Sequence, residues 1–333
     1  MQIITLKHSL SAAPTADDFI SLDAPLPDCP EDGIVVKVSH LSLDPYIGTR
    51  LRGNHMGEAA PIPQKEPIPA AIVGEVVESR TESFQTGDYI HSMDGGWQTH
   101  CALSSPQARR IDVDGISPSA YLGILGMPGL TAWAGVTQLA KVTEGDVFLV
   151  NAAAGPVGGT AGQIAKLRGA KTVIGIAGGV QKCALVTETY GFDTCLDYKS
   201  DGWQDALKTA APDGISAHFE NVSTDMLLLA LQHMQLYGRA VLCGLAAHYH
   251  AGGPPASIAL GPIIGKRAQL HGLVVYDFYD RWDAFRTELV PHVRAGQVTI
   301  REDKAHELEA APALMEKLVN GQNVGKCVVE LTV

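Results

Sequence analysis

The segment that most constrains the fold of this chain is a pattern of strand, turn and helix over residues 147–167. The apolar run 147–150 precedes Ala153, Gly155 and Gly158, which have the spacing of a G-x-G-x-x-G fingerprint with alanine replacing the first glycine. Small residues there allow the backbone to turn tightly and approach a pyrophosphate at the N-terminus of the next helix. A glycine pattern by itself is often only a tight connection, but here a helical pattern and a second strand candidate, 172–177, follow. We therefore predict a dinucleotide-binding turn.

The end of the second strand candidate indicates which dinucleotide is bound. A site selective for NAD usually places a carboxylate there to hold the ribose hydroxyls, whereas this chain has Ala177, Gly178 and Gly179. Lys182 follows within one helical turn, and Lys199 follows the third strand candidate, 194–198. A single lysine is more often only a solvated surface residue. Because both cations stand where a 2′-phosphate would lie, we expect NADPH rather than NADH.

Size and charge exclude several classes of protein. With 333 residues, the chain exceeds the size at which one hydrophobic core keeps growing, so two domains are expected. A formal net charge of −11 without a basic cluster disfavours binding to nucleic acid or to anionic membranes. The apolar stretch 121–136 contains Pro128 and several glycines and is too short for a transmembrane helix. Residues 1–10 do not read as a signal segment, so we expect a cytoplasmic location.

No metal site is expected from the cysteine and histidine spacing. The six cysteines form no C-x-x-C pair and no closely spaced quartet, so structural zinc and a disulfide scaffold are both disfavoured. His248 and His250 could share one side of an extended segment, but two histidines without a third ligand are more often plain loop residues. We therefore expect a metal-free protein.

The pattern of the chain changes near residue 120. Before it, strand candidates such as 33–42 and 71–78 alternate with turns, which predicts a mostly β domain. After it, six strand candidates alternate with helical stretches, as a doubly wound parallel sheet of the α/β class requires. These candidates are 147–150, 172–177, 194–198, 218–222, 240–243 and 270–275.

The carboxyl-terminal part completes the domain prediction. Two helix candidates, 282–295 and 307–320, precede a last strand candidate, 326–331, which we expect to return to the first domain. The expected division is a domain of residues 1–120 completed by 300–333, and a Rossmann domain of residues 121–299.

Several short sequence motifs, which follow one another along nearly the whole chain, resemble those of a known family. They are Leu-Asp-Pro-Tyr at 43–46 with Arg50, Leu-Gly-Met-Pro-Gly-Leu-Thr-Ala at 125–132, the turn at 152–158, Lys182, Tyr198-Lys199, and Gly-Gln-Asn-Val-Gly-Lys at 321–326. The chain resembles the zinc-independent medium-chain reductases, in particular the prostaglandin reductase, double-bond reductase and curcumin reductase group. This resemblance implies a GroES-like first domain, an NADPH-binding Rossmann domain, and reduction of the C=C bond of α,β-unsaturated ketones or aldehydes.

The resemblance also implies roles for individual residues. Tyr249 falls where the family has a tyrosine that contacts the nicotinamide ribose and the substrate carbonyl, and Tyr46 is expected at the substrate mouth. Asn323 is expected to bind the nicotinamide half. Contacts to the rest of the cofactor are expected from Ala154, Gly155, Val157, Gly158, Lys182, Tyr198 and Asn221. The chain departs from the family at Ile47-Gly48-Thr49, where a methionine and an arginine are usual, and at His250, where asparagine is common.

Few protein groups are needed for the expected reaction. Hydride transfer to the β-carbon leaves negative charge on the carbonyl oxygen, and a tyrosine hydroxyl is a donor suited to stabilise that oxyanion. Tyr249 could equally be a structural tyrosine, and Tyr46 a packing residue. A quinone reductase of the same fold and a non-catalytic NADPH sensor are the alternative functions. We expect a homodimer that acts on a small enone or enal.

Overall fold

A computed structural model describes residues 1–53, 62–63, 65–248 and 257–331 of the chain. The chain divides into two compact units. The first unit contains residues Met1–Gly123 and Glu302–Val333, and the second contains Ile124–Arg301. No helix in the described residues is long and apolar enough to cross a membrane.

The first unit is mostly β-structure. In the described residues of this unit there are nine strands: β1 (Gln2–Leu6), β2 (Phe19–Asp23), β3 (Gly33–Leu43), β4 (Ile72–Ser79), β5 (Tyr89–Ser92), β6 (His100–Ser104), β7 (Ala108–Arg110), β14 (Glu302–His306) and β15 (Lys326–Glu330). β1 and β2 form an antiparallel pair. The other seven form a sheet in the order β14-β15-β3-β4-β5-β7, with β6 also paired to β3. The carboxyl-terminal strand β15 therefore lies beside β3, from the amino-terminal part of the chain.

Two helices complete the core of the first unit. Helix α1 (Pro45–Leu51) begins with proline, whose fixed φ suits the first helical position and whose missing N–H is not needed there. Helix α9 (Ala311–Val319) packs near it: a Cβ at Gly48 would lie 3.6 Å from Val319 and 3.7 Å from Met315. Ile47 and Thr49 of α1 are buried as well. The three residues that depart from the family pattern are thus part of this core.

The second unit is built on a parallel sheet. Its six strands are β8 (Val147–Asn151), β9 (Thr172–Ala177), β10 (Thr194–Asp197), β11 (Ile215–Glu220), β12 (Met234–Leu242) and β13 (Gln269–Gly272). Their order is β10-β9-β8-β11-β12-β13, with every pairing parallel. The order reverses between β8 and β11, which is the switch point where doubly wound sheets bind their ligands.

In the part of the second unit that the structure describes, seven helices accompany this sheet. They are α2 (Met127–Trp133), α3 (Pro156–Leu167), α4 (Val180–Ala184), α5 (Trp203–Ala210), α6 (Thr224–Gln232), α7 (Gly261–Lys266) and α8 (Trp282–Arg294). Leu149 of β8, Ile174 of β9 and Leu207 of α5 belong to one apolar cluster. The strands are apolar along their length because both faces of a parallel sheet are covered.

The expected fold class is confirmed: a mostly β part and a doubly wound parallel sheet of six strands. Several expected bounds were wrong. Strands β11 and β12 begin at Ile215 and Met234, before the expected starts at 218 and 240, and β13 ends at Gly272. The stretch 307–320 is not one helix, because α9 begins only at Ala311. Strand β14 was not predicted, because its sequence Glu-Asp-Lys-Ala-His contains one small apolar residue and no apolar pattern.

Candidate cofactor-binding site

The turn between β8 and α3 forms the centre of the candidate site. Ala152 has φ of +49°, a left-handed conformation, and its carbonyl accepts a hydrogen bond of 2.9 Å from Gly155 N–H. A Cβ on Gly158 would lie 2.5 Å from the Ala152 carbonyl oxygen and 2.8 Å from that of Asn151. Only glycine therefore allows the first turn of α3 to approach the end of β8 so closely.

The first turn of α3 supplies donors for an anion. Gly155 is the N-cap and Pro156 the first helical residue, so the N–H groups of Val157 and Gly158 have no carbonyl one turn earlier within the helix. Ala153 is fixed by its N–H bond of 3.1 Å to the Ile176 carbonyl, and Ala154 beside it is buried. These amides and the helix dipole suit an anion, and their contact with a pyrophosphate stays a prediction. On α3, Ile164 is buried and Leu167 is exposed.

A buried polar network lies at the switch point of the sheet. The Glu220 Oε1 atom accepts hydrogen bonds from Asn151 Nδ2 at 2.5 Å, Val222 N at 2.6 Å and Ser223 N at 2.9 Å. Its Oε2 atom lies 2.9 Å from His218 Nε2, and His218 Nδ1 lies 3.1 Å from the Leu149 carbonyl oxygen. The network thereby joins the ends of β8 and β11 to the loop that follows β11.

Asn221, a residue expected to contact the cofactor, is held by this network. Its backbone N–H donates to Asn151 Oδ1 at 2.7 Å, and its side-chain Nδ2 donates to the Asn151 carbonyl at 3.1 Å. Burial raises the pKa of the Glu220 carboxyl, but the hydrogen bonds and charge of His218 and the donors Asn151 and Val222 outweigh it, so this pKa is lowered overall. Glu220 is therefore ionised, and its carboxylate holds the loop that follows β11 through hydrogen bonds.

The ends of β9 and β10 form a second part of the site. The Oδ1 atom of Asp197 accepts hydrogen bonds from Gly179 N at 2.7 Å and Lys199 N at 2.9 Å, and these bonds lower the pKa of its carboxyl. A Cβ on Gly178 would lie 2.7 Å from the Tyr198 hydroxyl, so glycine makes room for that ring. Lys182, on α4, is half-buried. Lys182 thus lies on the helix that follows β9, and Tyr198 directly follows β10; their contact with the 2′-phosphate stays a prediction.

Two of the expected site residues belong to the first unit. Tyr46 lies in the first turn of α1, is partly buried against the core of that unit, and its carbonyl accepts a bond of 2.7 Å from Thr49 Oγ1. Asn323 Nδ2 donates to the Gly325 carbonyl at 2.9 Å. Asp303 on β14 fixes the same loop, accepting from Val324 N at 3.1 Å and pairing with Lys317 Nζ at 2.7 Å.

The expected catalytic tyrosine cannot be placed. Tyr249 and His250 lie outside the described residues, and His248 is exposed in the short turn Ala246–His248. Within the described residues, no three histidine, cysteine, aspartate or glutamate side chains come together in a way that could hold a metal ion.

Comparison with known proteins identifies the family. Residues 2–111 match a family described as the N-terminal domain of oxidoreductase, and residues 156–292 match one described as zinc-binding dehydrogenase. A 2-alkenal reductase (NADP(+)-dependent) of Nicotiana tabacum is 36% identical, over 98% of this chain and 96% of that protein. The chain belongs to the medium-chain reductases of the double-bond reductase and curcumin reductase group.

Two further relatives of this group are similar over nearly their full length. An NADPH-dependent curcumin reductase of Escherichia coli is 32% identical, over 96% of this chain and 93% of that protein. The crystal structure of CurA from Vibrio vulnificus in complex with NADPH superimposes with a TM-score of 0.90, at 30% identity and with 100% of both chains covered. The expected family is therefore confirmed by both sequence and structure.

The sequence analysis did not identify the residues that hold the loops of the site in position. Glu220, His218, Asn151 and Asp197 contact backbone or other side chains and were not singled out. A signal for two of them existed, because Glu220 and Asp197 are acidic residues at the ends of otherwise apolar strands.

Proposed function

We propose that this chain is an NADPH-dependent reductase of the C=C bond in α,β-unsaturated ketones and aldehydes. The observation that carries the proposal is full-length membership of a family whose relatives are named for NADPH-dependent alkenal and curcumin reduction. The geometry agrees with it, because the turn before α3 and the ends of β9 and β10 offer amides and a cation to a phosphorylated dinucleotide.

The protein's own residues would bind and orient the cofactor. The amides of Val157 and Gly158 would hold the pyrophosphate, and Lys182 and Tyr198 would hold the 2′-phosphate. Ala154 and Gly155 would line the pyrophosphate, Asn221 would contact the cofactor on the β11 side of that turn, away from the 2′-phosphate, and Asn323 would hydrogen-bond the nicotinamide half. When bound, NADPH supplies the hydride for the β-carbon of the substrate.

The remaining task of the protein is to stabilise charge on the substrate oxygen. We propose that Tyr249 donates a hydrogen bond to that oxygen, directly or through the ribose hydroxyl, and that Tyr46 contacts the substrate. A tyrosine hydroxyl stays protonated at neutral pH and can donate without a prior proton transfer. A donor aimed at an oxyanion strengthens as charge develops, and this lowers the barrier.

Removal of the Tyr249 hydroxyl tests this role. Tyr249→Phe should lower kcat by roughly tenfold to a thousandfold, as for other single oxyanion donors, with a smaller change in NADPH affinity. The measurement is single-turnover hydride transfer together with an NADPH binding titration. An unchanged hydride-transfer rate would remove Tyr249 from the mechanism, and Tyr276→Phe serves as a control that also removes one tyrosine hydroxyl.

Substrate class is tested by following NADPH oxidation with matched acceptors. An enal, an aryl enone and a cyclic enone are compared with a simple quinone at equal concentrations. We expect kcat/KM for at least one enone or enal to exceed that of the quinone, and product analysis should show a saturated C–C bond with the carbonyl retained. Faster turnover of the quinone alone would contradict the proposal, and tight NADPH binding without turnover would favour a sensor.

We also propose a cytoplasmic homodimer. Strand β13 is last in the order of the six-stranded sheet, and an edge strand is a natural site of pairing with a second chain. Leu260 and Ile264, which lead into it, are 64% and 75% exposed. None of the six cysteines is in a disulfide, as is usual in a reducing compartment. Light scattering measures the mass, and a monomeric mass at micromolar concentration would contradict the dimer.

A further inference from the structure

Two cysteines lie side by side next to the candidate 2′-phosphate site. Cys183 is on α4 and Cys195 on β10, and their sulfur atoms are 3.1 Å apart, with the Cys195 thiol donating to the Cys183 sulfur. Both side chains are half-buried, so small solutes can reach them, whereas Cys29, Cys101 and Cys327 are buried. Neither cysteine has a role in the function proposed above.

The two sulfur atoms are in non-bonded contact, so a small movement would let them form a covalent bond. A disulfide has an S–S length of about 2.05 Å, so the sulfur atoms need to approach by about 1 Å. We propose that Cys183 and Cys195 form a reversible intramolecular disulfide on exposure to hydrogen peroxide, and that this bond weakens the binding of NADPH. Disulfides of cytosolic proteins are usually transient and redox-sensing, which agrees with the proposed location.

The chemistry needs only the two thiols and one peroxide. The Cys183 sulfur attacks one peroxide oxygen, the O–O bond breaks, and a sulfenic acid forms with release of one water. The Cys195 sulfur then attacks the Cys183 sulfur, the S–O bond breaks, and the S–S bond forms with release of a second water. In total the thiols lose two electrons and two protons, and the peroxide is reduced to two waters.

The order of attack follows from the hydrogen bond between the two thiols. Burial raises the pKa of the Cys183 thiol, while the hydrogen bond from Cys195 lowers it in part. Burial likewise raises the pKa of Cys195, and donating to Cys183 raises it further. Cys183 is therefore the attacking sulfur and Cys195 the resolving one. Because both thiols are mostly protonated at neutral pH, the reaction needs an excess of peroxide.

The bond would act on residues expected to bind the cofactor. Lys182 directly precedes Cys183, and Asp197, which holds Gly179 N–H at 2.7 Å, lies two residues beyond Cys195. Drawing the two sulfur atoms together shifts α4 against β10. This shift moves Lys182 relative to the hydrogen bond between Gly179 and Asp197. This second half of the inference rests on the proposed function.

Peptide mapping tests the bond independently of any cofactor. Protein treated with peroxide is alkylated with iodoacetamide and digested with trypsin, which releases residues 183–199 as one peptide. We expect this peptide to be unalkylated and two hydrogens lighter, and to remain joined after cleavage behind Glu188. Cys195→Ser should abolish the lighter species, whereas Cys29→Ser, whose hydroxyl can keep the bond to the Gly33 carbonyl, should retain it. Full alkylation of both cysteines in peroxide-treated protein would overturn the assignment.

An NADPH titration tests the consequence. The dissociation constant of the oxidised protein should rise by roughly fivefold or more, within the usual range of coupling between sites, and should return with dithiothreitol. Peroxide should leave the constant of Cys183→Ser, which lacks the attacking thiol, unchanged. Equal constants for oxidised and reduced protein would overturn the link to NADPH. Absence of NADPH binding by the reduced protein would contradict the proposed function, while the peptide map still decides the thiol chemistry.

Discussion

Replacing Glu220 with alanine tests whether the buried network fixes the loop that follows β11. The carboxylate is fully buried and accepts hydrogen bonds from Asn151, Val222 and Ser223 on one oxygen and contacts His218 on the other. Alanine leaves all of these buried donors without their acceptor. Because Asn221 lies between Glu220 and two of the donors, the loop expected to contact NADPH should lose its fixed position.

The size of the effect follows from the hydrogen bonds that alanine removes. A buried donor left unsatisfied costs about 1–3 kcal/mol, and breaking a buried charged pair typically costs about 3–5 kcal/mol in all. Relaxation makes such terms less than additive, so we expect Glu220→Ala to lower the free energy of unfolding by about 3–5 kcal/mol. Glu220→Gln is the matched control, because its carbonyl can keep the three N–H donors and its amide can donate to His218. We expect that variant to cost about 1 kcal/mol.

Urea unfolding followed by circular dichroism measures both free energies, and an NADPH titration reports the loop. The reasoning would be refuted if Glu220→Ala lowered the free energy of unfolding by less than about 1 kcal/mol, or if the glutamine and alanine variants were equally destabilised.

The pH dependence of the free energy of unfolding gives a second test of Glu220. Because the pKa of Glu220 is lowered from its ordinary value of 4.5 in the folded protein, its contribution is present above pH 4.5 and is lost as the pH falls through the folded value. The glutamine variant should therefore lose less stability than the unmodified protein on acidification below that pH.

Two further predictions concern the cofactor and metals. Lys182→Ala should raise KM for NADPH by roughly tenfold to a hundredfold and leave KM for NADH nearly unchanged, because a charged hydrogen bond to the 2′-phosphate contributes about 1.5–3 kcal/mol. Lys208→Ala, which removes an exposed lysine of α5, is the matched control, and equal losses with both cofactors would contradict the role of Lys182. Turnover should survive exhaustive chelation, since no three possible ligands cluster in the described residues; loss of activity restored only by zinc would refute this.

The sequence predicted the parallel sheet well because its strands carry local signals. Each apolar run in the second unit is bounded by glycine or polar residues, and a strand buried on both faces reads as such a run. Strand β14 carries no such signal, because its residues Glu302, Asp303 and Lys304 pair with β15 through the backbone and stay partly exposed. Its existence depends on a neighbour that the local pattern does not reveal.

One part of the candidate site could likewise be predicted from the sequence, and another part could not. The turn at Gly155 and Gly158 is encoded by residue size along a continuous segment, so its geometry can be predicted from the sequence. The partners of Asn151 lie about 70 residues away in the chain, at the end of β11, and depend on the register of β8 beside β11. Pairings that distant cannot be derived from composition or periodicity, and this is why the supporting residues were missed.

The first unit contains a second distant pairing of this kind, between Lys326 and Asp44. Lys326 is only 1% exposed, and its Nζ donates to the Leu43 carbonyl at 2.6 Å and to the Cys327 carbonyl at 2.9 Å, and lies 3.3 Å from Asp44 Oδ1. Asp44 is the N-cap residue of α1, which begins with Pro45 and Tyr46. The lysine of β15 therefore fixes the point from which the expected substrate-contacting tyrosine projects.

This pair gives a prediction whose outcome separates charge from packing. Lys326→Met keeps most of the side-chain volume but leaves the buried Asp44 carboxylate without its cation, with the hydrogen bond from Ser42 Oγ remaining, so we expect a loss of about 3–5 kcal/mol in the free energy of unfolding. The double variant Lys326→Met with Asp44→Asn removes the buried charge as well and should be more stable than Lys326→Met alone, as a double-mutant cycle of urea unfolding will measure. In that double variant, KM for the enone should rise more than KM for NADPH, because α1 loses its anchor while the second unit is unchanged. If the double variant is no more stable than Lys326→Met alone, Lys326 stabilises the protein through packing. Asp44 then carries no uncompensated charge when Lys326 is replaced.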